Sequence, residues 1–198
     1  HESAGVPYFL TQVSKANIIN AGDGRHEHPT QALLDMYSIR EKLGKIEGLK
    51  ICIVGDIAHS RVALSNIYGL KALGAQVSVC GPLTMIPKGI ESLGVKVYTD
   101  IDEVIKTHDV LNILRIQLER KAGTNIPSLR EYHNYFGVTA ERLEKHNKEI
   151  LILHPGPINR GVEISSEVAD GPYQVILDQV TNGVAIRMSV LYLLGSMN

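Results

Sequence analysis

The sequence predicts an α/β fold, with a doubly wound parallel sheet in a Rossmann-like, three-layer α/β/α arrangement. Two observations support this prediction. Short apolar runs without polar alternation, such as residues 49–54 and 149–153, are typical of strands that are buried on both faces. Helical segments with short links separate these runs, and right-handed crossovers would place the helices on both faces of one sheet.

The amino-terminal segments lead into a loop and a helix. Residues 6–15 are amphipathic, and residues 16–20 are predicted to form a short apolar strand. The helix over residues 29–43 begins at Pro29, because the missing proline N–H costs nothing at the first helical position, and Gly44 ends it.

Strand and helix then alternate. Strands are predicted at residues 49–54, 76–80, 95–99, 109–114 and 149–153, and helices at 61–73, near 88–93, and at 101–107, 139–145 and 175–194. Ser60 and Thr139 are predicted helix caps. Residues 117–134 are charged and carry Gly123 and Pro127, which predicts a long loop of the kind that acts as a lid or binds ligands.

Composition excludes several classes of function. A net charge of −1, from 20 basic and 21 acidic residues, gives no basic surface for nucleic acid or for an acidic membrane. The apolar runs have the length of strands, so no membrane span is expected. Cys52 and Cys80 fall in predicted buried strands, which suits unpaired thiols in the cytoplasm. A single glycine after Val54 argues against a dinucleotide cofactor.

Polar side chains are concentrated where the loop from Gly22 meets the helix at Pro29. His28 and Gln31 lie at a helix N-terminus, where backbone donors and the helix dipole favour a ligand with oxygen atoms or negative charge. An alternative is that His28 only caps its helix. His26, Glu27 and His28 have no companion cluster, so a metal site is not expected.

Three predicted strands are followed by further candidate residues. Arg61 and Arg115 follow two of the strands, and two arginines at adjacent strand ends could hold a dicarboxylate in paired hydrogen bonds. The alternative is that each arginine pairs with a local acid. Residues 154–161 follow the third strand, and we expect His154 to pack against the turn at Pro155 as a structural residue.

Several motifs in fixed order resemble the catalytic chains of aspartate carbamoyltransferases, in the aspartate/ornithine carbamoyltransferase family. They are residues 20–24 (Asn-Ala-Gly-Asp-Gly), 28–35 (His-Pro-Thr-Gln-Ala-Leu-Leu-Asp), Arg61, 115–117 (Arg-Ile-Gln), 154–164 (His-Pro-Gly-Pro-Ile-Asn-Arg-Gly-Val-Glu-Ile), 168–172 and 179–185. Ornithine enzymes have Cys after the His-Pro pair and a late His-Cys-Leu-Pro loop. Thr30 and residues 155–157 stand at those places here, which favours aspartate as the amine substrate.

The resemblance implies a role for each candidate residue. Carbamoyl phosphate would be held by His28, Gln31, Pro155, Gly156 and Pro157, with His28 as the catalytic residue that donates a hydrogen bond to the carbamoyl oxygen. L-Aspartate would be held by Arg61, Arg115 and Gln117. The implied reaction gives N-carbamoyl-L-aspartate and phosphate, without metal or cofactor, in cytoplasmic pyrimidine biosynthesis.

The resemblance also implies a division into domains. Residues 1–28 would be the tail of a carbamoyl-phosphate-binding domain, residues 29–172 an aspartate-binding domain that includes the interdomain helix 29–43, and residues 173–198 a terminal helix that packs back on the first domain. Because the chain begins at His1 rather than Met, a fragment or processed product is expected, lacking most of the first domain with its phosphate loop. Such a chain would be inactive alone.

The expected partners are the two substrates and further copies of the catalytic chain. The family resemblance implies a homotrimer of complete catalytic chains, with regulatory or pathway-enzyme subunits as further partners. Two alternatives to the aspartate reaction stay open. One is a carbamoyltransferase that uses another amine, and the other is a non-catalytic assembly module of the same fold.

Overall fold

A five-stranded parallel sheet forms the centre of the computed structural model, which describes residues 1–116, 128–147 and 149–196. The strands are β1 (Lys50–Val54), β2 (Gln76–Cys80), β3 (Lys96–Tyr98), β4 (Val110–Ile113) and β5 (Leu151–Leu153), in the spatial order β3-β2-β1-β4-β5. The helices are α1 (Val6–Val13), α2 (Pro29–Leu43), α3 (Arg61–Ala72), α4 (Ile101–Thr107), α5 (Leu129–Phe136), α6 (Ala140–His146), α7 (Ser166–Ala169) and α8 (Ile176–Gly195). Two short 3₁₀ helices span Leu83–Met85 and Ile90–Leu93.

Both faces of the sheet are covered, as the uninterrupted apolar strands predict. In β1, Ile51 and Ile53 belong to a core that also contains residues of α2 and α3, whereas Cys52 and Val54 belong to a second core with residues of α4 and α6. Successive side chains of a strand point to opposite faces, so one apolar strand supplies both cores. The predicted doubly wound, three-layer α/β/α class is confirmed.

The strand order places a change of direction beside the central strand. From β1 the chain adds β2 and β3 on one side, and then crosses back to pair β4 with β1 and β5 with β4. Ligands of open parallel sheets bind beyond the carboxyl ends of the strands at such a point. The loops after β1, β4 and β5 therefore meet at the edge where a site is expected.

Helix α2 begins and ends as its sequence predicts. Pro29 occupies the first turn, and Gly44 ends the helix in the left-handed conformation at φ 74°. Helix α2 packs against both α3 and α8, so its buried face is held between two other helices. Ser60 caps α3, with its Oγ accepting the Ala63 N–H at 3.3 Å.

Two predictions about local structure are wrong, and one helix was missed. Residues 16–20 form no strand, because none of the five strands of the sheet pairs with this segment. Of the predicted loop 117–134, residues 117–127 lie outside the described residues, but residues 129–134 belong to α5. Ser128 Oγ accepts the Glu131 N–H at 3.0 Å and caps this helix, and Tyr132 packs into a small apolar cluster with Met85 and Ile116. Helix α7 was not predicted. Most of the other predicted elements differ from the observed ones by one or two residues at their ends.

None of the helices in the described ranges combines the length and the apolar content that a membrane crossing requires.

Replacing Thr139 by Ala should lower the free energy of unfolding by about 1 kcal/mol, because the cap of α6 is lost. Thr139 Oγ1 accepts the Arg142 N–H at 3.3 Å, and no other group replaces it in the described part of the chain. Urea unfolding followed by circular dichroism measures the change. Thr139→Ser keeps the hydroxyl and should change stability by only a few tenths of a kcal/mol; equal losses in the two variants would contradict the capping role.

Candidate active site

The loop before α2 is arranged around a buried carboxylate, Asp23. Asp23 accepts hydrogen bonds from the backbone N–H groups of Gly5 (2.7 Å) and Glu27 (3.1 Å) and from the Asn20 amide (3.0 Å). Its Oδ2 also lies 3.1 Å from His26 Nδ1. Burial alone raises the pKa of this carboxyl, but the hydrogen bonds outweigh burial and hold the pKa well below its usual range. The loop conformation that leads to His28 is therefore set by an ionised side chain.

Gly22 brings this loop into direct contact with Arg61. Its φ of 120° is rarely adopted by residues with a side chain, and a Cβ built at this position would lie 2.6 Å from Arg61 Cζ. The Arg61 guanidinium therefore lies directly beside the loop backbone. In the described residues Arg61 forms no ion pair or hydrogen bond, so the alternative of a surface arginine paired with a local acid does not hold within that part of the chain. Its charge is available for an anionic ligand.

His28 lies at the start of α2, half-buried, and its environment favours the neutral imidazole. Burial, with the positive charges of Arg61 and Arg187, lowers the pKa of His28 from 6.5 to about 4. Its backbone N–H donates to Ser65 Oγ at 2.9 Å, and its side chain makes no capping hydrogen bond. The alternative in which His28 only caps its helix is therefore not supported. A neutral imidazole at this place can donate an N–H without carrying charge.

Gln31 and the 154–157 loop are joined through buried side chains. The Gln31 amide donates to Asp35 Oδ1 at 2.9 Å, and the Gln179 amide donates to the same oxygen at 2.8 Å. Gln179 Oε1 in turn accepts the backbone N–H of His154 at 2.9 Å. The two predicted carbamoyl-phosphate elements are thus connected by a short chain of hydrogen bonds.

The 154–157 loop is shaped by His154, which is buried. His154 Nδ1 accepts the Gly156 N–H at 2.9 Å, and its Nε2 lies 3.2 Å from Glu163 Oε1. Since Nδ1 is an acceptor, Nε2 carries the proton and donates to the carboxylate. Pro155 is half-buried, and the loop exposes Gly156 and Pro157, joined by a cis peptide bond. His154 thus contacts the turn that it was predicted to support.

Arg115 lies just beyond the carboxyl end of β4, at the edge of the sheet where the loops after β1 and β5 also begin. Arg115 follows the strand directly, and the Asn159 amide donates to the backbone carbonyl of neighbouring Ile116 at 2.8 Å. This contact joins the loop after β5 to the end of β4. Gln117, the third predicted aspartate ligand, lies outside the described residues.

A cavity of about 480 Å³ opens beside Arg61 and is lined by His1, Glu2, Gly24, Arg25 and Arg61. Two of its five lining residues are arginines, which suits an anionic ligand. Within the described ranges, no group of three His, Cys, Asp or Glu side chains is placed to hold a metal ion.

Two residues that matter here were not identified from the sequence as parts of the site. Arg187 lies on α8 and acts electrostatically on His28, although 159 residues separate them in the chain. Asp56 accepts the backbone N–H of His59 at 3.2 Å and contacts the His59 ring at 2.8 Å, which shapes the turn before Arg61. Asp56 could have been found from its position just after a predicted strand. Arg187 lies inside an apolar helix, and the sequence offers no signal that it belongs to the site.

Two family models match the chain. Residues 47–194 match the Asp/Orn binding domain of aspartate/ornithine carbamoyltransferase, and residues 1–41 match the carbamoyl-P binding domain of the same family. The chain belongs to the aspartate/ornithine carbamoyltransferase family. The predicted resemblance is confirmed at this level.

Relatives named aspartate carbamoyltransferase catalytic subunit are 61% identical in Cytophaga hutchinsonii and 60% identical in Gemmatimonas aurantiaca, over 98% of this chain. The chain spans 63% and 61% of the length of these two proteins. The catalytic subunit of M. jannaschii aspartate transcarbamoylase superposes with a TM-score of 0.83 at 35% identity, covering 100% of this chain and 65% of that structure. The Trypanosoma cruzi enzyme in complex with carbamoyl phosphate gives 0.83 at 28% identity, covering 97% and 63%.

The match to both domain models corrects one prediction. The chain was expected to lack most of the carbamoyl-phosphate domain, but residues 1–41 match the model of that domain. Both family models are therefore represented in this chain. The expectation that the chain is inactive depended on that lack and is not supported.

His28 should titrate in NMR with a midpoint near pH 4 rather than 6.5. The folded protein releases a proton that the unfolded chain still binds, so this contribution to stability is complete above about pH 6.5 and is lost as the pH falls towards 4. Arg187→Ala removes one positive charge and should raise the midpoint, whereas Arg40→Ala, on the far turn of α2, should not. A wild-type midpoint at or above 6.5 would contradict the buried, cationic environment described here.

Proposed function

We propose that the protein transfers the carbamoyl group of carbamoyl phosphate to the amine of L-aspartate, giving N-carbamoyl-L-aspartate and phosphate, as a step of pyrimidine biosynthesis. The observation that carries this proposal is the position of a half-buried His28 at the start of α2, where burial and the positive charges of Arg61 and Arg187 lower its pKa. The names of the relatives and the carbamoyl phosphate bound by the T. cruzi enzyme support the same choice of substrate.

Carbamoyl phosphate would lie between the start of α2 and the loop after β5. The first turn of α2 presents backbone N–H groups and the positive end of the helix dipole to an anion. Gln31 would accept a hydrogen bond from the carbamoyl amide, because its NH₂ group faces Asp35 and its Oε1 is left to accept. The exposed backbone of Gly156 and Pro157, with Pro155, would line the opposite side.

L-Aspartate would be held by Arg61, Arg115 and Gln117. The two arginines follow β1 and β4, which are paired neighbours in the sheet. Both side chains therefore begin near the carboxyl ends of these strands. A dicarboxylate offers one carboxylate to each guanidinium, and each such pair forms charge-assisted hydrogen bonds. Bound aspartate and carbamoyl phosphate would thus share the switch point between β1 and β4.

The reaction then needs no nucleophilic side chain. The aspartate nitrogen forms a bond to the carbamoyl carbon, negative charge grows on the carbamoyl oxygen, and His28 donates a hydrogen bond to that oxygen. The bond from this carbon to the bridging phosphate oxygen breaks, its electron pair leaves with phosphate, and phosphate takes the amine proton. Positioning two anions and offsetting their charge would supply most of the rate.

Assembly and location belong to the same proposal. A homotrimer of catalytic chains, with regulatory or pathway-enzyme subunits as further partners, agrees with the catalytic subunit names of the relatives. The division at residues 28 and 172 is likewise proposed. Cytoplasmic location is supported by two buried, unpaired cysteines, Cys52 and Cys80, which suit a reducing compartment.

Arg61→Ala in the full-length protein should lower kcat/KM for aspartate by about 10- to 150-fold, the loss expected for about 1.5 to 3 kcal/mol from hydrogen bonds to a charged group. A colorimetric assay of carbamoyl aspartate measures it. Arg40→Ala, an exposed arginine at the end of α2, is the matched control and should keep wild-type kinetics. Normal aspartate use by Arg61→Ala would instead favour a non-catalytic assembly module.

The amine substrate should be aspartate rather than ornithine. Two arginines pair with two carboxylates, whereas the ornithine side chain ends in an ammonium that they would repel. A panel of amines offered with carbamoyl phosphate to the full-length protein measures the preference. A higher kcat/KM for ornithine or another amine would overturn the choice of aspartate and leave the family assignment intact.

A further inference from the structure

Asp35 is fully buried in α2, one turn after Gln31, and four side-chain amides point their N–H groups at it. They come from α2 itself, α3, β4 and α8: Gln31, Asn66, Asn112 and Gln179. In the described part of the chain no basic side chain forms an ion pair with Asp35. Four donors and no acceptor are the surroundings of an ionised carboxylate. Burial raises the pKa of Asp35 above its usual value, and the hydrogen bonds from the four amides offset only part of this rise.

The two carboxylate oxygens serve different pairs of amides. Oδ1 accepts from Gln31 at 2.9 Å and from Gln179 at 2.8 Å. Oδ2 accepts from Asn66 at 2.8 Å and from Asn112 at 3.2 Å. The glutamines lead towards the candidate site, whereas the asparagines lead into α3 and β4.

The carboxylate determines which way the Gln31 amide faces. A carboxylate can only accept, so the Gln31 NH₂ group turns inwards and its Oε1 is left to accept a hydrogen bond from elsewhere. Among the described residues nothing donates to this oxygen. Gln31 therefore offers an acceptor to a ligand, which matches an amide N–H and does not match a methyl group or an oxyanion.

The same constraint acts on Gln179. Its NH₂ group is held by Asp35, so its Oε1 faces the backbone N–H of His154 and accepts it at 2.9 Å. His154 is the first residue of the 154–157 loop, and its backbone is thereby fixed relative to α2. One carboxylate oxygen thus orients groups on both sides of the candidate carbamoyl site.

We propose that Asp35 is a positioning residue that sets the hydrogen-bond direction of Gln31 and Gln179 and thereby makes the site selective for a carbamoyl amide. This inference rests on the proposed function, because it assigns Gln31 and the 154–157 loop to the carbamoyl group. Asp35 touches neither the substrate nor the reacting atoms and acts only through the two glutamines. The arrangement has a cost, since Asn66 Oδ1 and Asn112 Oδ1 are buried and accept no hydrogen bond from described residues.

Asp35→Leu tests the proposal in the full-length protein with two probes, inorganic phosphate and phosphonoacetamide, which carries an amide beside its phosphonate. A leucine at position 35 has a similar shape but accepts no hydrogen bond, so neither glutamine amide is held in place. Calorimetry should show phosphonoacetamide binding weakened about tenfold, with phosphate binding changed less than about twofold. A purely structural role would weaken both probes alike, and equal changes overturn the proposal.

Further variants distinguish a positioning role from a structural one. Asn66→Ala removes a donor from the other oxygen of Asp35 and should lower the unfolding midpoint without changing the ratio of the two affinities. Gln179→Ala keeps Asp35 but frees His154, so the ratio should fall; an unchanged ratio in this variant overturns the proposal even if Asp35→Leu does not fold. In a Gln31→Ala background, Asp35→Leu should lose most of its effect on the ratio.

The wild-type protein separates this inference from the proposed function. Phosphonoacetamide that binds no better than phosphate to the wild-type protein would count against the carbamoyl site itself. A clear wild-type preference for phosphonoacetamide, retained in Asp35→Leu, would leave the site in place and show that Asp35 does not set its selectivity.

Discussion

The burial of the Asp35 carboxylate is the constraint on which the arrangement of the site depends. An ionised group without access to water is costly unless hydrogen bonds replace its hydration, and here side-chain amides from α2, α3, β4 and α8 replace it. Three of these elements are helices that pack beside the sheet, and the fourth, β4, is a strand of it. Their relative positions are therefore fixed by directional bonds as well as by apolar packing, which tolerates small shifts that hydrogen bonds do not.

Two carboxylates have different roles around the candidate site. Asp23 accepts hydrogen bonds from backbone N–H groups and fixes a loop, whereas Asp35 accepts hydrogen bonds from side-chain amides and fixes helices to a strand. His28 lies between these two residues in the chain, beside cations that hold its ring neutral. Charge is thus placed on the arginines and on buried acids, and the hydrogen-bond donor proposed for catalysis carries none. That separation is what a reaction between two anionic substrates requires.

The fold was predictable from local pattern because both faces of each strand are apolar and because Pro29, Ser60 and Gly44 mark helix ends chemically. The strand proposed at residues 16–20 failed for a non-local reason, since apolar content cannot reveal whether a partner strand exists. The start of α5 was missed because its charged composition hides Tyr132, the residue that packs inwards. Motif order indicated His28, Gln31, Arg61 and Arg115 as a group. The effect of Arg187 on His28 depends on how α8 packs against α2, which no short pattern encodes.

The contact between Gly22 and Arg61 has a consequence for how this loop can vary. A loop glycine is usually replaceable at a modest cost in backbone strain, but here the space for a side chain is already filled by a guanidinium. Any larger residue would have to displace the Arg61 guanidinium. Tolerance to substitution at position 22 is therefore limited by the position of an arginine side chain as well as by backbone strain.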